Sequence, residues 1–112
     1  MSKEKVMTAD PGMMTEPTRT VDAAGTQAWY VNGQRHRLDG PAYIGANGSQ
    51  EWWVNSQRHR LDGPAHIWAN GYQEWWVRGQ NITTQVNAWM QTQAVTWPWD
   101  DQTQMQFLLT WG

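Results

Sequence analysis

Apolar and aromatic residues along this chain come in short runs, broken every few positions by asparagine-glycine or aspartate-glycine-proline. Runs of this kind predict strands near 26–31, 34–37, 42–46, 49–54, 57–60, 65–69 and 72–77. Their connections are too short for crossovers, so the strands must form an antiparallel meander. Three kinds of turn separate them. Asn47-Gly48 and Asn70-Gly71 lie between apolar or aromatic runs and predict type I′ hairpins. Asn32-Gly33 and Arg78-Gly79 mark a second turn, and Asn55-Ser56 holds the same place with a residue less suited to positive φ. Asp39-Gly40-Pro41 and Asp62-Gly63-Pro64 make the third.

The turns recur because the sequence recurs. Residues 25–47 and 48–70 are identical at 17 of 23 positions, and a third copy starts at Gly71 and diverges after Asn81. Stacked copies share a continuous core and need atypical ends to cap it. Side chains alternate faces along a strand. Trp29, Trp52 and Trp75 are therefore expected on one face as a ladder, with Tyr30, Trp53 and Trp76 on the other. One ladder is expected in the core. The second is either covered by the C-terminal segment or exposed as an aromatic binding strip.

After Asn81 the period changes. Ile82, Val86, Trp89 and Met90 fall at helical spacing, with Thr83 or Thr84 as a cap. Pro98 ends that helix or opens the next, and Asp100 and Asp101 suit a helix N-terminus. Met105, Leu108 and Leu109 give the second helix an apolar face, with Trp111 following. The organisation expected is a flexible tail over 1–24, a β-hairpin repeat region over 25–80 and a helical cap over 81–112. Pro11 and Pro17 interrupt any helix in the tail, and the Met13-Met14 pair is the feature there that would favour ordering on a partner. The cap's polar face is nearly all Gln and Thr, which does little to oppose association through the helices.

Composition narrows the classes. About 88 residues from Gly25 onward bury only about 60 to 65% of their unfolded surface, so the core must be dense. Tryptophan is the residue to supply that density: there are ten, all at or after Trp29. The net charge of −2 excludes a wholly basic nucleic-acid binder and an acidic nucleic-acid mimic. With no cysteine, disulfides and thiolate metal sites are ruled out. No apolar run approaches the roughly 20 residues that span a bilayer, and no apolar stretch follows Met1-Ser-Lys-Glu-Lys as in a signal peptide. A soluble, cytoplasmic protein without membrane partners is expected.

The repeated Gln-Arg-His-Arg-Leu-Asp-Gly-Pro-Ala is the obvious candidate site. A catalytic reading would take His36 or His59 as base and Asp39 or Asp62 as its orienter. Active sites are normally single constellations, whereas this one is duplicated intact and no nucleophile travels with it: Ser56 is Gly33 in the first copy. The duplicated residues are instead expected to build the repeat, Asp, Gly and Pro setting the turn while His and Arg bond to the next copy. No ligand spacing supports a metal site at His36, His59 and His66, and no cofactor is expected. Arg35, Arg37, Arg58 and Arg60 recur beside aromatics, the combination that holds single-stranded nucleic acid, but Glu51, Glu74, Asp39 and Asp62 recur with them. The partner-contact candidates are Tyr30, Trp53, Trp76, Arg35, Arg37, Arg58, Arg60 and Trp68.

Trp29-Tyr30-Val31-Asn32-Gly33 with His36-Arg37-Leu38-Asp39-Gly40-Pro41-Ala42, repeated from Trp52 through Ala65, resembles repeats in small proteins of tailed bacteriophages and some giant viruses. These are akin to MORN-type β-hairpin repeats. Leu38 and Leu61 stand where an acidic residue is usual, and the Gln-rich C-terminal segment is a further departure. The resemblance implies viral origin and action inside a bacterial host. The fold expected is mainly β, a meander of MORN-like hairpins of period 23 followed by one or two helices. The function expected is a non-enzymatic interaction protein that binds and inhibits a host protein, of anti-defence or anti-CRISPR type. The alternatives are a nucleic-acid-binding accessory protein and an assembly protein that self-associates through its sheet edge or helices.

Overall fold

The computed structural model describes residues 16–112. Among these, the chain forms an antiparallel hairpin meander followed by two C-terminal helices, as the pattern predicts. Strands β1 (Thr18–Val21), β2 (Gln27–Val31), β4 (Tyr43–Ile44), β5 (Gln50–Glu51), β8 (His66–Ile67) and β9 (Gln73–Glu74) line up in that order in one sheet. β3 (Gln34–Arg35) pairs with the distal end of β2. β6 (Trp53–Val54) with β7 (Gln57–Arg58), and β10 (Trp76–Val77) with β11 (Gln80–Asn81), form separate hairpins.

The predicted strands 49–54 and 72–77 are each interrupted at their first tryptophan, and there the repeat turns out of the main sheet. Trp52 N–H donates to the Ala65 carbonyl (2.7 Å), while its own carbonyl accepts from His59 N–H (3.0 Å). Trp29 is bonded in the same way to Ala42 and His36. Successive hairpins then stack. Arg37 N–H donates to the Trp53 carbonyl and Ser56 N–H to the Arg35 carbonyl, and Arg60–Trp76 and Gly79–Arg58 repeat the pair one period on.

The turn chemistry is assigned the other way round from expectation. At Asn47-Gly48 and Asn70-Gly71 only the glycines have positive φ, and Gly48 N–H closes onto the Gly45 carbonyl. The Asn47 carboxamide accepts from Ser49 N–H (3.0 Å), so a three-residue loop replaces the two-residue type I′ turn. Positive φ at both central residues occurs instead at Asn32-Gly33, Asn55-Ser56 and Arg78-Gly79.

The folded unit also starts before Gly25. Thr18–Val21, assigned to a flexible tail by composition, is a strand paired with β2 from Thr18↔Tyr30 to Val21↔Gln27. Its two Thr and one Val are good strand formers, and the Asp22 carboxylate closes the following turn by accepting from Ala24 and Thr26 N–H. All four residues are exposed, so no apolar alternation announced the strand. The expectations for residues 1–15, including Pro11 and Met13-Met14, lie outside the described residues.

Helices α1 (Thr83–Gln93) and α2 (Asp101–Trp111) cap the third, incomplete copy. Neither Thr83 nor Thr84 caps α1 with its side chain. Asn81 accepts from Thr83 N–H, and the Thr83 hydroxyl accepts from Trp75 N–H (3.0 Å), the donor that Ala42 and Ala65 carbonyls serve in the complete copies. Ile82 N–H donates to the Trp75 carbonyl, so the first turn of helix takes over the bonds of the missing strand. Asp100 caps α2, accepting from Thr103 N–H (2.8 Å), and that bond holds its carboxyl below the usual value. Trp75, Val77, Ile82, Val86 and Phe107 form the core, ringed by Leu61, Trp89, Met90, Trp97, Trp99 and Trp111. The predicted apolar face of α1 packs inward. That of α2 does not: Met105, Leu108 and Leu109 face out, and Phe107 with Trp111 faces in. An aromatic pair fills the space beside Trp89 and Trp99 with more area than leucines would, and this sets the helix's rotation. Among the described residues, no helix is long and apolar enough to cross a membrane.

Candidate interaction surface

The register places Ala28, Tyr43, Glu51, His66 and Glu74 side by side across β2, β4, β5, β8 and β9, on one face of the sheet. Beside this row run the stacked hairpins, and their pairings set Arg35 opposite Tyr30 and Arg58 opposite Trp53. The result is one interleaved stack. The Arg35 guanidinium lies 5.7 Å from the Tyr30 ring centre, 5.0 Å from Tyr43 and 5.4 Å from Trp53; that of Arg58 lies 4.8 Å from Trp53 and 5.1 Å from Trp76. The second aromatic ladder is thus neither covered by the helices nor bare. Arginines fill its gaps, each contact contributing about 0.5–2 kcal/mol according to how dry it is.

The acidic row anchors that stack from below. Glu51 accepts from Trp53 Nε1 (2.8 Å) and pairs with Arg58 (3.5 Å), and Glu74 accepts from Trp76 Nε1 (3.1 Å). His66 is buried between them, 3.9 Å from a Glu51 oxygen and 3.5 Å from one of Glu74, with Trp68 stacked on its ring at 4.3 Å. Burial pushes the His66 pKa down, and Arg58 adds to that; the two carboxylates oppose it without reversing it. The balance favours the neutral imidazole. An open cleft of about 430 Å³ lies over His66 and Trp68.

Arg37 and Arg60 do not join the ladder. Each folds back within its own loop, over Trp29 (4.0 Å) and Trp52 (3.9 Å) respectively. Arg37 Nε donates to Asp39 (2.9 Å) and Nη1 to the Pro41 carbonyl; Arg60 does the same with Asp62 (2.7 Å) and Pro64. A Cβ on Gly40 or Gly63 would lie 3.0 or 2.8 Å from the guanidinium carbon, so glycine here permits the close approach. His36 Nδ1 accepts from Asn55 N–H and His59 Nδ1 from Arg78 N–H, each in the next copy. These bonds are the ones to the next copy expected of the histidines. The Arg37 and Arg60 side chains, expected to bond to the next copy as well, bond within their own loops instead, because the carboxylate and carbonyl acceptors there lie two and four residues away. His66 is held between Glu51 and Glu74, apart from the places of His36 and His59, and among the described residues no group of three His, Cys, Asp or Glu is arranged to hold a metal ion.

The two identical loops meet different neighbours. Around the second, Gln104 Nε2 donates to the Leu61 carbonyl (2.7 Å), Trp97 Nε1 donates to the Asp62 carbonyl (3.2 Å), and the Trp97 ring lies 5.5 Å from the Arg60 guanidinium. Around the first, Leu38 is 78% exposed. Between the two loops runs a groove of about 590 Å³, floored by Trp52, Val54 and His59 and walled by Leu38 and Leu61.

Of the eight candidate contact residues, Tyr30, Arg35, Trp53, Arg58 and Trp76 come together in one ladder, and Trp68 stands beside it through His66. Arg37 and Arg60 lie in the two loops that border the groove. The sequence reading missed the Glu51–His66–Glu74 row and the groove. The period held the signal for both: Ala28 and Tyr43 occupy the first-copy places of Glu51 and His66, and Leu38 that of Leu61. No family model, curated protein or solved structure matches this chain.

Proposed function

We propose that this chain is a protein-interaction module that binds and inhibits a protein of a bacterial host, the role of an anti-defence or anti-CRISPR factor. One observation carries the protein-binding part: the Arg60-Leu61-Asp62 loop holds the cap, Trp97 ahead of α2 and Gln104 in its first turn, through its carbonyls, its guanidinium and its leucine. That loop sequence occurs twice, so the scaffold carries this docking chemistry twice. The viral setting and the host target rest on the resemblance of the repeats alone. The nucleic-acid reading draws less support, because Arg35 and Arg58 are intercalated between rings and Arg37 and Arg60 are paired with acids. An assembly reading is favoured by Met105, Leu108 and Leu109, aligned on the exposed side of α2.

The test is reconstitution. A partner captured from host lysate by the tagged full chain is purified, and its binding is measured by calorimetry alongside its own activity. Saturable binding with loss of that activity is expected. A salt-dependent shift of labelled RNA or single-stranded DNA, with no reconstituted protein complex, would overturn the reading. Self-association in light scattering as the sole interaction would overturn it too.

A further inference from the structure

We infer that the groove between the two loops is a docking site for a helical segment of a partner protein, which binds there as the chain's own cap binds one period further on. This rests on the protein-binding reading above and gives it a place and a ligand chemistry.

The repeat itself makes the argument. The cap covers Trp75, Val77, Ile82 and Leu61. One period of 23 residues earlier stand Trp52, Val54, His59 and Leu38, which line the groove. The bonds shift in the same way. Trp97 and Gln104 donate to the Asp62 and Leu61 carbonyls; their counterparts are the Asp39 and Leu38 carbonyls, which accept from no described residue. A Cβ on Gly63 would meet the Trp97 ring at 2.9 Å, whereas the atoms nearest a Cβ on Gly40 all belong to Arg37. The indole's slot on the first loop is open. The groove is also continuous with the cap interface, because Arg60, Leu61 and Asp62 form its far wall and bind the cap on their other side.

The matching ligand follows from these groups. It is a helix preceded by a short non-helical lead, whose indole lies on Arg37 and donates to the Asp39 carbonyl. In the first turn of the helix a side-chain amide donates to the Leu38 carbonyl, and an apolar residue reaches Trp52 and Val54. The rim arginines are already paired with Asp39 and Asp62, so a helix with an uncharged Gln/Thr surface fits better than a strongly acidic or basic one. His59 stands where the cap site has Ile82, which makes the floor more polar and favours reversible binding.

The probe is a labelled synthetic peptide of residues 95–112, which carries Trp97 and Gln104, titrated into the full chain. One-to-one binding is expected, and Leu38→Asp in the full chain should weaken it by at least about tenfold, a loss of about 1.4 kcal/mol. Leu109→Asp, on an exposed residue of the cap, should leave it unchanged, as should any variant that does not touch the groove. Peptides with Trp97→Ala or Gln104→Ala should lose most of the affinity. Undiminished binding to the Leu38→Asp chain would mean exchange into the cap's own site and would overturn the inference, as would no binding up to millimolar peptide. Dimerisation of the free chain that Leu38→Asp abolishes would overturn it in favour of a second copy's cap. If a reconstituted host partner binds wild type and Leu38→Asp chains equally, the groove assignment falls while the protein-binding reading stands.

Discussion

Ser56, like Arg78 in the next copy, is a residue in the stacked hairpin turns whose chemistry works against its conformation. Its φ of 63° equals in kind the 78° and 79° of Gly33 and Gly79 at the same place in the other copies. A left-handed L-residue costs about 1–2 kcal/mol, part of which glycine returns through the greater entropy of the unfolded chain. Ser56→Gly is therefore expected to stabilise the fold by about 0.5–1 kcal/mol, read as a higher denaturation midpoint at unchanged slope. His59 gives a pH dependence. Burial lowers its pKa from the ordinary 6.5, and Arg78 lowers it further. A folded-state pKa below the unfolded one means the unfolded chain binds the extra proton, so this stability is complete above pH 6.5 and is lost as pH falls through the lowered value. His66 acts in the same direction. Thermal midpoints should be flat above neutrality and fall on acidification. His59→Asn, which keeps an acceptor for Arg78 N–H without a titrating group, should flatten part of that fall; an unchanged profile would remove His59 from the account. At this scale the sequence was half legible. Asn-Gly announces a tight turn, but which of two turn types forms depends on the hydrogen bonds of the flanking strands, as Gly45–Gly48 and Asn32-Gly33 show.

Between residues and the whole, the interleaved ladder is the element that ties copies together. Strand alternation was enough to place Tyr30, Trp53 and Trp76 on one face. It said nothing of what fills the space between rings a repeat apart, because Arg35 and Arg58 arrive from the partner strands of the hairpins. Arg58 touches two indoles and Glu51, and is half-buried. Arg58→Ala should cost about 2–3 kcal/mol by losing two cation–π contacts and leaving Glu51 short of a partner. Arg58→Lys should recover only part of that, because an ammonium keeps the charge but not the flat face that fits between rings. Equal stability of the Lys variant and wild type in urea would show that charge alone matters. The acidic row was legible only in hindsight of the register: Glu51 and Glu74 are one period apart, but their meeting with His66 needs β8 between β5 and β9.

For the molecule as a whole, two complete copies and a fragment cannot close their own end, and the cap does that through Trp75, which belongs to the third copy and the helical core at once. Arg78, donating to the Trp111 carbonyl (3.1 Å), ties the last hairpin to the end of α2. The change of period at residue 82 made a cap legible, but not its orientation. Both faces of α2 carry large apolar residues, and only the aromatic surroundings choose between Phe107 and the leucines. A pair of variants tests that choice. Phe107 is fully buried, with ring centres 4.9 Å from Trp99 and 5.0 Å from Trp111, so Phe107→Ala should cost about 3–5 kcal/mol. Leu109 is 80% exposed, and Leu109→Ala should stay within about 0.5 kcal/mol of wild type. Since small domains hold only about 5–15 kcal/mol in total, the Phe107 variant should lie near its unfolding midpoint in mild denaturant. It should also unfold in one step, with tryptophan fluorescence and far-ultraviolet circular dichroism superimposable, because opening the cap strips Trp75 and with it the end of the repeat stack. An early loss of helix that leaves the strand signal intact would show that the repeats stand without their cap.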